Sequence, residues 1–191
     1  MRLVVLILAI LIGMPLLTTT ESFTSDVSFA LNDIPALTSK LRSLIRGREI
    51  AAVCVGTDLV GGDCLGPMVG QLLTEAGVPA YVYGTLDNPV TALNVNAVSG
   101  FVRLKHPDCL IVAVDSSVGV EAERGRICVR SGPLIPGAAG GRPLNALGDV
   151  SVTVITSSAL PPSQKFALAR LGFVYALAKA ISGMILQITN Y

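Results

Sequence analysis

The chain has 191 residues, which is enough for one domain with a sizeable hydrophobic core. Its 14 lysine and arginine residues nearly balance 13 acidic residues, and the net charge of +1 gives no indication of a nucleic-acid surface. The chain has no tryptophan and only 5% aromatic residues, so recognition of bases by stacking is not expected either.

The first 20 residues form an apolar segment that we set apart from the fold. Arg2 precedes an apolar run over Leu3–Leu17, which Gly13 and Pro15 interrupt. Three interpretations stay open: a secretory signal, a membrane anchor, or an assigned start upstream of a true start such as Met14. The run is shorter than the ~20 residues that a helix needs to span a bilayer. Contact with a membrane through residues 1–20 is therefore one alternative among three.

Residues 30–191 are predicted to form a single α/β domain. A first helix is expected to begin at Asn32-Asp33-Ile34-Pro35 and to end near Gly47. Three apolar runs then predict buried strands, with helices between them that begin at Gly66-Pro67 and Asn88-Pro89; the runs are Ile50–Val55, Ala80–Tyr83 and Cys109–Val114. This βαβαβ order predicts a parallel sheet with helices on both faces.

The last third of the chain is less regular. It predicts a short strand over Arg126–Arg130, a long loop rich in glycine and proline over residues 131–149, and another strand over Val150–Thr156. A long apolar helix is expected from Pro161-Pro162-Ser163 onwards. A membrane span is the weaker interpretation of this helix, because three basic residues interrupt it: Lys165, Arg170 and Lys179.

Two of the predicted strands run into acidic residues. Asp58 and Asp63 lie in the glycine-rich loop after the first strand, and Asp115 directly follows five apolar residues. Since ligands bind beyond the carboxyl ends of strands in open α/β sheets, we expect these side chains to gather at one edge. Two carboxyl groups close together in a partly dry crevice share a proton, and one pKa is raised. Such a pair can activate a water molecule or bind a metal ion.

Some of these residues also have a purely structural interpretation. Asp63 is suited to cap the helix that follows it, and Asp58 is suited to a turn. Asp115 is harder to explain in this way, because a carboxylate at that position is costly to bury unless it is paired or functional. Asp149 precedes a strand and is expected at the opposite end of the sheet. His106, the only histidine, is expected at a helix end far from Asp115, which argues against a Ser-His-Asp triad.

Six short motifs follow one another along the chain: Cys54-Val55-Gly56-Thr57-Asp58, Gly62-Asp63-Cys64-Leu65-Gly66-Pro67, Tyr83-Gly84-Thr85-Leu86, Pro89-Val90, Ala113-Val114-Asp115 and Gly132–Ala138. In order and spacing they resemble the YyaC-type sporulation proteins, over roughly residues 45–188. That family is described as spore protease-like and is distantly similar to the germination protease of spores and to hydrogenase maturation proteases. The resemblance implies a three-layer α/β/α sandwich with a mostly parallel sheet, of the phosphorylase/hydrolase-like type.

The resemblance also implies an aspartate-dependent peptidase that acts on spore proteins during sporulation or germination. Asp63 and its neighbours match the Asp-Ala-Leu-Gly-Pro context of one proposed catalytic aspartate of the germination protease, and Asp115 matches the other. The two carboxyl groups would share a proton, one polarising the scissile carbonyl and the other activating water. Thr57, Asp58 and the backbone of Gly61-Gly62 are then predicted to bind the substrate.

Cofactor, partner and compartment follow from the same resemblance. Hydrogenase maturation proteases place nickel on two acidic residues and a later histidine, but this chain has no histidine after His106. We therefore expect no metal and no cofactor. The expected partner is a protein or peptide substrate, without nucleic acid, in the cytoplasm or the spore compartment. The alternative function is a catalytically inactive protein of the peptidase fold that binds a ligand in sporulation.

Overall fold

The computed structural model describes residues 33–137, 144–158 and 169–190. The predicted apolar segment over residues 1–20, the centre of the long loop and the predicted start of the last helix at Pro161 lie outside these ranges.

Five strands of the described chain form one mixed sheet. The strands are β1 (Ile50–Cys54), β2 (Tyr81–Tyr83), β3 (Leu110–Gly119), β4 (Ile127–Ser131) and β5 (Val150–Ser158). Their order is β2-β1-β3-β5-β4, and all neighbouring pairs are parallel except β4 and β5. The helices are α1 (Ile34–Ile45), α2 (Leu65–Glu75), α3 (Val95–Lys105) and α4 (Leu171–Thr189), with a 3-10 turn at Glu121–Glu123.

Helices cover both faces of the sheet, as the predicted fold class requires. Side chains alternate along β3, so that Val112 and Val114 join the core under α1, α2 and α4, whereas Ile111 and Ala113 join the core under α3. Because the central strands are buried on both faces, their sequences are continuously apolar. The prediction of a three-layer α/β/α sandwich with a mostly parallel sheet is confirmed.

Within the described residues, α4 is the one helix that is long and apolar enough to cross a membrane. Length and composition alone do not decide the matter, because the core helix of a globular domain can have the same properties. Here Phe173, Leu177 and Ile181 are buried in the core against the sheet and the other helices on that face. The packing of α4 is therefore that of a core helix.

The predicted strand over Cys109–Val114 is longer in the structure, because β3 continues to Gly119. The extension pairs with β5, from Asp115 opposite Thr153 to Gly119 opposite Ser158. Asp115 therefore lies within a strand and does not follow one. However, β1 ends at Cys54 opposite Val114, so Asp115 is the first residue of β3 that extends past its neighbour.

The prediction that a helix begins at Asn88-Pro89 is wrong, since α3 begins only at Val95. The preceding segment instead joins the sheet, where Val90 forms a parallel bridge with Val55. Leu93 and Phe101 belong to the apolar pattern from which that helix was predicted, which would place both side chains inward. In the structure both are exposed, Phe101 to 54%.

Two glycines allow the loop after β1 to lie directly against the sheet. Gly56 has a φ of 144°, and a Cβ atom there would overlap the carbonyl oxygen of Asp63. A Cβ atom on Gly66 would overlap the carbonyl oxygen of Val55. Only a residue without a side chain permits such approaches of backbone to backbone. They hold the beginning of α2 against the end of β1.

We expect Gly66→Ala to lower the free energy of unfolding by about 1–3 kcal/mol, because the added methyl group must displace backbone atoms. The matched control is Gly100→Ala in α3, where no atom lies within 4 Å of the new Cβ. That change is expected to raise the free energy of unfolding by roughly 0.5–1 kcal/mol through helix propensity. Urea unfolding measures both, and equal effects of the two variants would contradict the proposed close approach.

Candidate functional site

The loop that follows β1 returns Asp63 to the end of the strand. The Val55 amide donates to the Val114 carbonyl at 2.7 Å, which extends the pairing with β3 by one residue. The Gly56 amide then donates to the Val90 carbonyl, and the Thr57 amide donates to the Asp63 carbonyl at 3.1 Å. The loop is thus closed by its own backbone, and Asp63 lies beside β1 and β3.

The Asp63 side chain lies between the loop and β3. The Ser116 hydroxyl donates a hydrogen bond of 2.9 Å to its Oδ1 atom. Burial raises the pKa of the Asp63 carboxyl above its ordinary value, and the hydrogen bonds from Ser116 and from the Thr57 amide lower it only in part. These hydrogen bonds favour the ionised form of the carboxyl group, whereas its burial favours the protonated form.

The Asp115 side chain has the stronger tendency to hold a proton. Burial raises the pKa of its carboxyl well above the ordinary value, and the nearby negative charge of Asp63 raises it further. The Ser116 amide opposes these two effects but does not outweigh them. The two predicted catalytic carboxyl groups therefore interact electrostatically, with the proton held preferentially on Asp115.

Asp63 and Asp115 line the same cavity, which has a volume of about 480 Å³. Its floor is the sheet face beneath Asp115, where Ser151 and Thr153 continue the surface across β5. The remaining walls come from the turn after β1, from Ala92 and from the segment over residues 133–137 that follows β4. The cavity therefore lies beyond the carboxyl end of β1, over the part of β3 that extends past it.

The four residues predicted to bind substrate lie in the loop beside this cavity and are not among the residues that line it. Asp58 is exposed, and the Thr57 hydroxyl accepts a hydrogen bond from the Leu59 amide. The Gly61 carbonyl accepts from the Cys64 thiol, and Gly62 is buried. Their assignment to substrate binding stays a prediction. The alternative in which Asp63 caps α2 is wrong, since Cys64 occupies that position and no side chain caps the helix.

His106 and Asp149 lie away from the cavity, as predicted. His106 ends α3, where its Nε2 atom lies 2.7 Å from the Tyr83 hydroxyl and its ring stacks on Tyr81. Asp149 precedes β5, and its carboxylate receives two hydrogen bonds of 3.0 Å from Arg103. Neither residue lines the cavity.

Sequence reasoning missed two polar residues of the site. Ser116 directly follows Asp115 and lies outside the predicted strand over Cys109–Val114, so its side chain was not placed at the site. It reaches Asp63 because that carboxyl group lies past the end of β1. Arg130 was included in a predicted strand. However, the antiparallel pairing of β4 with β5, which brings Arg130 to the cavity, could not be inferred from the local sequence.

The described residues include no group of three or more histidine, cysteine, aspartate or glutamate side chains that could hold a metal ion. Two carboxyl groups are a smaller ligand set than protein metal sites ordinarily use. The described residues of the cavity therefore do not fit a metal site of the usual kind.

Comparisons with known proteins agree with this architecture. A family model described as "Protein of unknown function (DUF1256)" matches residues 25–184. The chain is 36% identical over 134 residues to the uncharacterized protein YyaC of Bacillus subtilis (strain 168). That alignment covers 70% of this chain and 65% of the relative, which is less than two thirds of its length.

A solved structure with a similar fold is the NiFe hydrogenase maturation protease HycI from Thermococcus kodakarensis KOD1, with a TM-score of 0.53. The match covers 79% of this chain and 99% of HycI, at 16% sequence identity. Identity at this level shows a shared fold alone. The predicted resemblance to the YyaC-type proteins is confirmed by the family and by the relative.

We expect Asp115→Asn to raise the free energy of unfolding at neutral pH, because the variant no longer has a charge to bury near Asp63. The folded-state pKa of Asp115 is raised, so its ionisation lowers stability as the pH rises above the ordinary value of 3.8. The gain from the substitution should therefore be largest at neutral pH and disappear under acidic conditions. Urea unfolding from about pH 3 to about pH 8 measures it.

Asp149→Asn is the control, for which we expect the opposite change in the free energy of unfolding. Burial would raise the pKa of Asp149, but hydrogen bonds from Arg103 and from the Ile111 amide outweigh it and hold the pKa below 3.8. The stability that this carboxylate contributes is present above 3.8 and is lost as the pH falls through the lowered pKa. The control should thus be destabilised at neutral pH. Destabilisation of both variants at neutral pH would contradict the electrostatic interpretation of Asp115.

Proposed function

The chain belongs to the family described as protein of unknown function (DUF1256), and we propose that it is a peptidase in which Asp63 and Asp115 are the catalytic residues. The observation that carries this proposal is the pair of carboxyl groups in one cavity, where the charge of Asp63 raises the pKa of Asp115. Carboxyl groups with raised and unequal pKa values are the arrangement that general acid–base catalysis requires.

The different surroundings of the two carboxyl groups suggest their roles. Asp63 accepts hydrogen bonds that favour its ionised form, so it acts as the general base and takes a proton from water. Asp115 holds its proton more tightly and donates a hydrogen bond to the scissile carbonyl oxygen. The hydroxyl of the activated water bonds to the carbonyl carbon, and the oxygen receives the Asp115 proton. The proton taken by Asp63 then passes to the leaving nitrogen as the C–N bond breaks. At the same time one hydroxyl of the intermediate returns its proton to Asp115 and becomes the carbonyl of the product, so that both carboxyl groups regain their starting states.

The cavity has the size and lining that a peptide substrate needs. Its volume of about 480 Å³ falls within the range of ordinary ligand pockets. Hydroxyl groups of Ser151 and Thr153 are available to hydrogen-bond a peptide backbone, while Leu134 and Ile135 supply apolar surface. The similarity of fold to a hydrogenase maturation protease supports a peptidase fold in general.

The spore compartment and spore proteins as substrates belong to the proposal as well. They rest on the resemblance of the sequence to the YyaC-type proteins and to the germination protease. The segment over residues 1–20 leaves membrane anchoring as the alternative location. Thr57, Asp58 and the Gly61-Gly62 backbone are proposed to contact parts of the substrate that extend beyond the cavity.

Asp63→Asn and Asp115→Asn are each expected to reduce peptide-bond cleavage by at least about 100-fold, since each removes one partner of the acid–base pair. Purified protein is incubated with total spore protein, and new amino termini are counted by mass spectrometry. Asp108→Asn is the matched control, because Asp108 is exposed and lies at the other end of β3. The control should retain the activity of the unchanged chain.

Two outcomes would refute the peptidase assignment. One is the absence of any cleavage by the unchanged chain, and the other is full activity in both Asp63→Asn and Asp115→Asn. A third outcome is that the unchanged chain cleaves nothing, while its cavity residues become protected from solvent when a spore protein is added. In that case the binding-only alternative replaces the peptidase.

Ser116→Ala is expected to move the acidic limb of the pH–activity profile to higher pH. The hydroxyl of Ser116 lowers the pKa of Asp63, so its removal requires a higher pH to ionise the general base. The profile is measured as kcat/KM against pH, which reports the free enzyme.

Ser117→Ala serves as the control for this profile. The Ser117 hydroxyl donates to the Val118 carbonyl and is not among the groups that shift the pKa of Asp63. Its removal should leave the midpoint of the acidic limb in place, whatever its effect on the rate. An unchanged midpoint in Ser116→Ala would show that Asp63 is not the base.

A further inference from the structure

The cavity contains a positive charge in addition to the two carboxyl groups. Arg130 of β4 is exposed and lines the cavity. Three other arginines form ion pairs: Arg103 with Asp149, Arg124 with Glu121 and Arg126 with Glu123. Among the residues that the structure describes, no acidic side chain forms an ion pair with Arg130. Its guanidinium group is therefore free to meet a ligand.

The register of the sheet places Arg130 and Asp115 on the same face. Arg130 of β4 is paired with Ser151 of β5, and Ser151 is paired in turn with Ala113 of β3. Paired residues share a face of the sheet, and Asp115 shares the face of Ala113 because it lies two residues further along β3. With strands about 4.8 Å apart and a rise of about 3.3 Å per residue, the two Cα atoms are about 12 Å apart. Ser151 and Thr153 form the floor between them.

The arginine and the carboxyl pair act as separate charges. Burial, the charge of Asp63 and the Ser116 amide are the causes of the pKa shift of Asp115, and Arg130 is not among them. An arginine in contact with the pair would lower the pKa of both carboxyl groups and would remove their capacity to hold a proton. The intervening floor keeps the two charges apart and leaves space for a segment of substrate.

We propose that Arg130 binds a carboxylate of the peptide substrate and thereby selects which peptide bond reaches Asp63 and Asp115. This inference rests on the proposed peptidase function and names the substrate class of that site. An extended chain rises about 3.4 Å per residue, so the recognised carboxylate lies within about three residues of the scissile bond. The guanidinium group is suited to this task because it donates paired hydrogen bonds to a carboxylate.

The carboxylate has two chemical sources, an acidic side chain or the carboxyl terminus of the substrate. A synthetic peptide library, prepared once with free and once with amidated carboxyl termini, distinguishes them. Cleavage sites are identified by mass spectrometry. Recognition of a side chain predicts aspartate or glutamate within three residues of the cut in both preparations. Recognition of the terminus predicts cleavage near the chain end in the free preparation only.

Arg130→Gln is expected to reduce the preference for carboxylate-containing sites by about tenfold or more, since a charge-assisted pair is lost. Arg130→Glu should reverse the preference towards sites with lysine or arginine. The matched control is Arg126→Gln, which removes the same charge at an exposed position outside the cavity. It should leave the preference unchanged. Thermal unfolding of all three variants checks that the exposed substitutions have not unfolded the chain.

The outcomes separate this inference from the proposed function. Cleavage by the unchanged chain without any preference for a nearby carboxylate overturns the role of Arg130 and leaves the peptidase standing. A preference for a nearby carboxylate that persists in Arg130→Gln also overturns the role of Arg130 and leaves the peptidase standing. Absence of cleavage in both preparations, and in total spore protein, overturns the peptidase and the inference that rests on it.

Discussion

The site depends on the close approach of the loop after β1 to the end of β1 and to the part of β3 that extends past it. Gly56 and Gly66 permit contacts between backbone atoms that any Cβ would prevent, and these contacts bring Asp63 beside Ser116. A looser loop would leave the Asp63 carboxylate in water, where its pKa would return to the ordinary range and its charge would act weakly on Asp115. The backbone geometry therefore determines the electrostatics of the whole cavity.

The same contacts create an asymmetry between two chemically identical side chains. Both carboxyl groups are partly buried, but Asp63 receives hydrogen bonds from a hydroxyl and an amide, whereas Asp115 receives little compensation. The pKa values of the two carboxyl groups therefore differ because of their burial, the charge of Asp63 beside Asp115 and their different hydrogen-bond donors. Burial of two neighbouring carboxyl groups lowers the stability of the fold, as buried charges at functional sites usually do.

Much of this arrangement could be predicted from the sequence, and the predictions that were wrong or incomplete have physical reasons. Asp63 and Asp115 were identified because apolar runs mark parallel strands, and parallel strands direct their carboxyl ends to one edge. The extension of β3 and the late start of α3 were missed because distant strands and bridges decide them: β5 pairs with β3, and Val90 pairs with Val55. Arg130 was missed for the same reason, since only the antiparallel register of β4 brings it to the cavity.

The hydrogen bond between Ser116 and Asp63 joins residues that are 53 positions apart in the chain. It forms only after the crossover through β2 and α3 has been completed and β3 has paired with β1. During synthesis, a ribosome-bound fragment that ends before β3 contains Asp63 but neither Asp115 nor the cavity floor. The proposed peptidase is therefore inert as a nascent chain, so its own unfolded segments, and those of neighbouring chains, are not exposed to its activity before folding is finished.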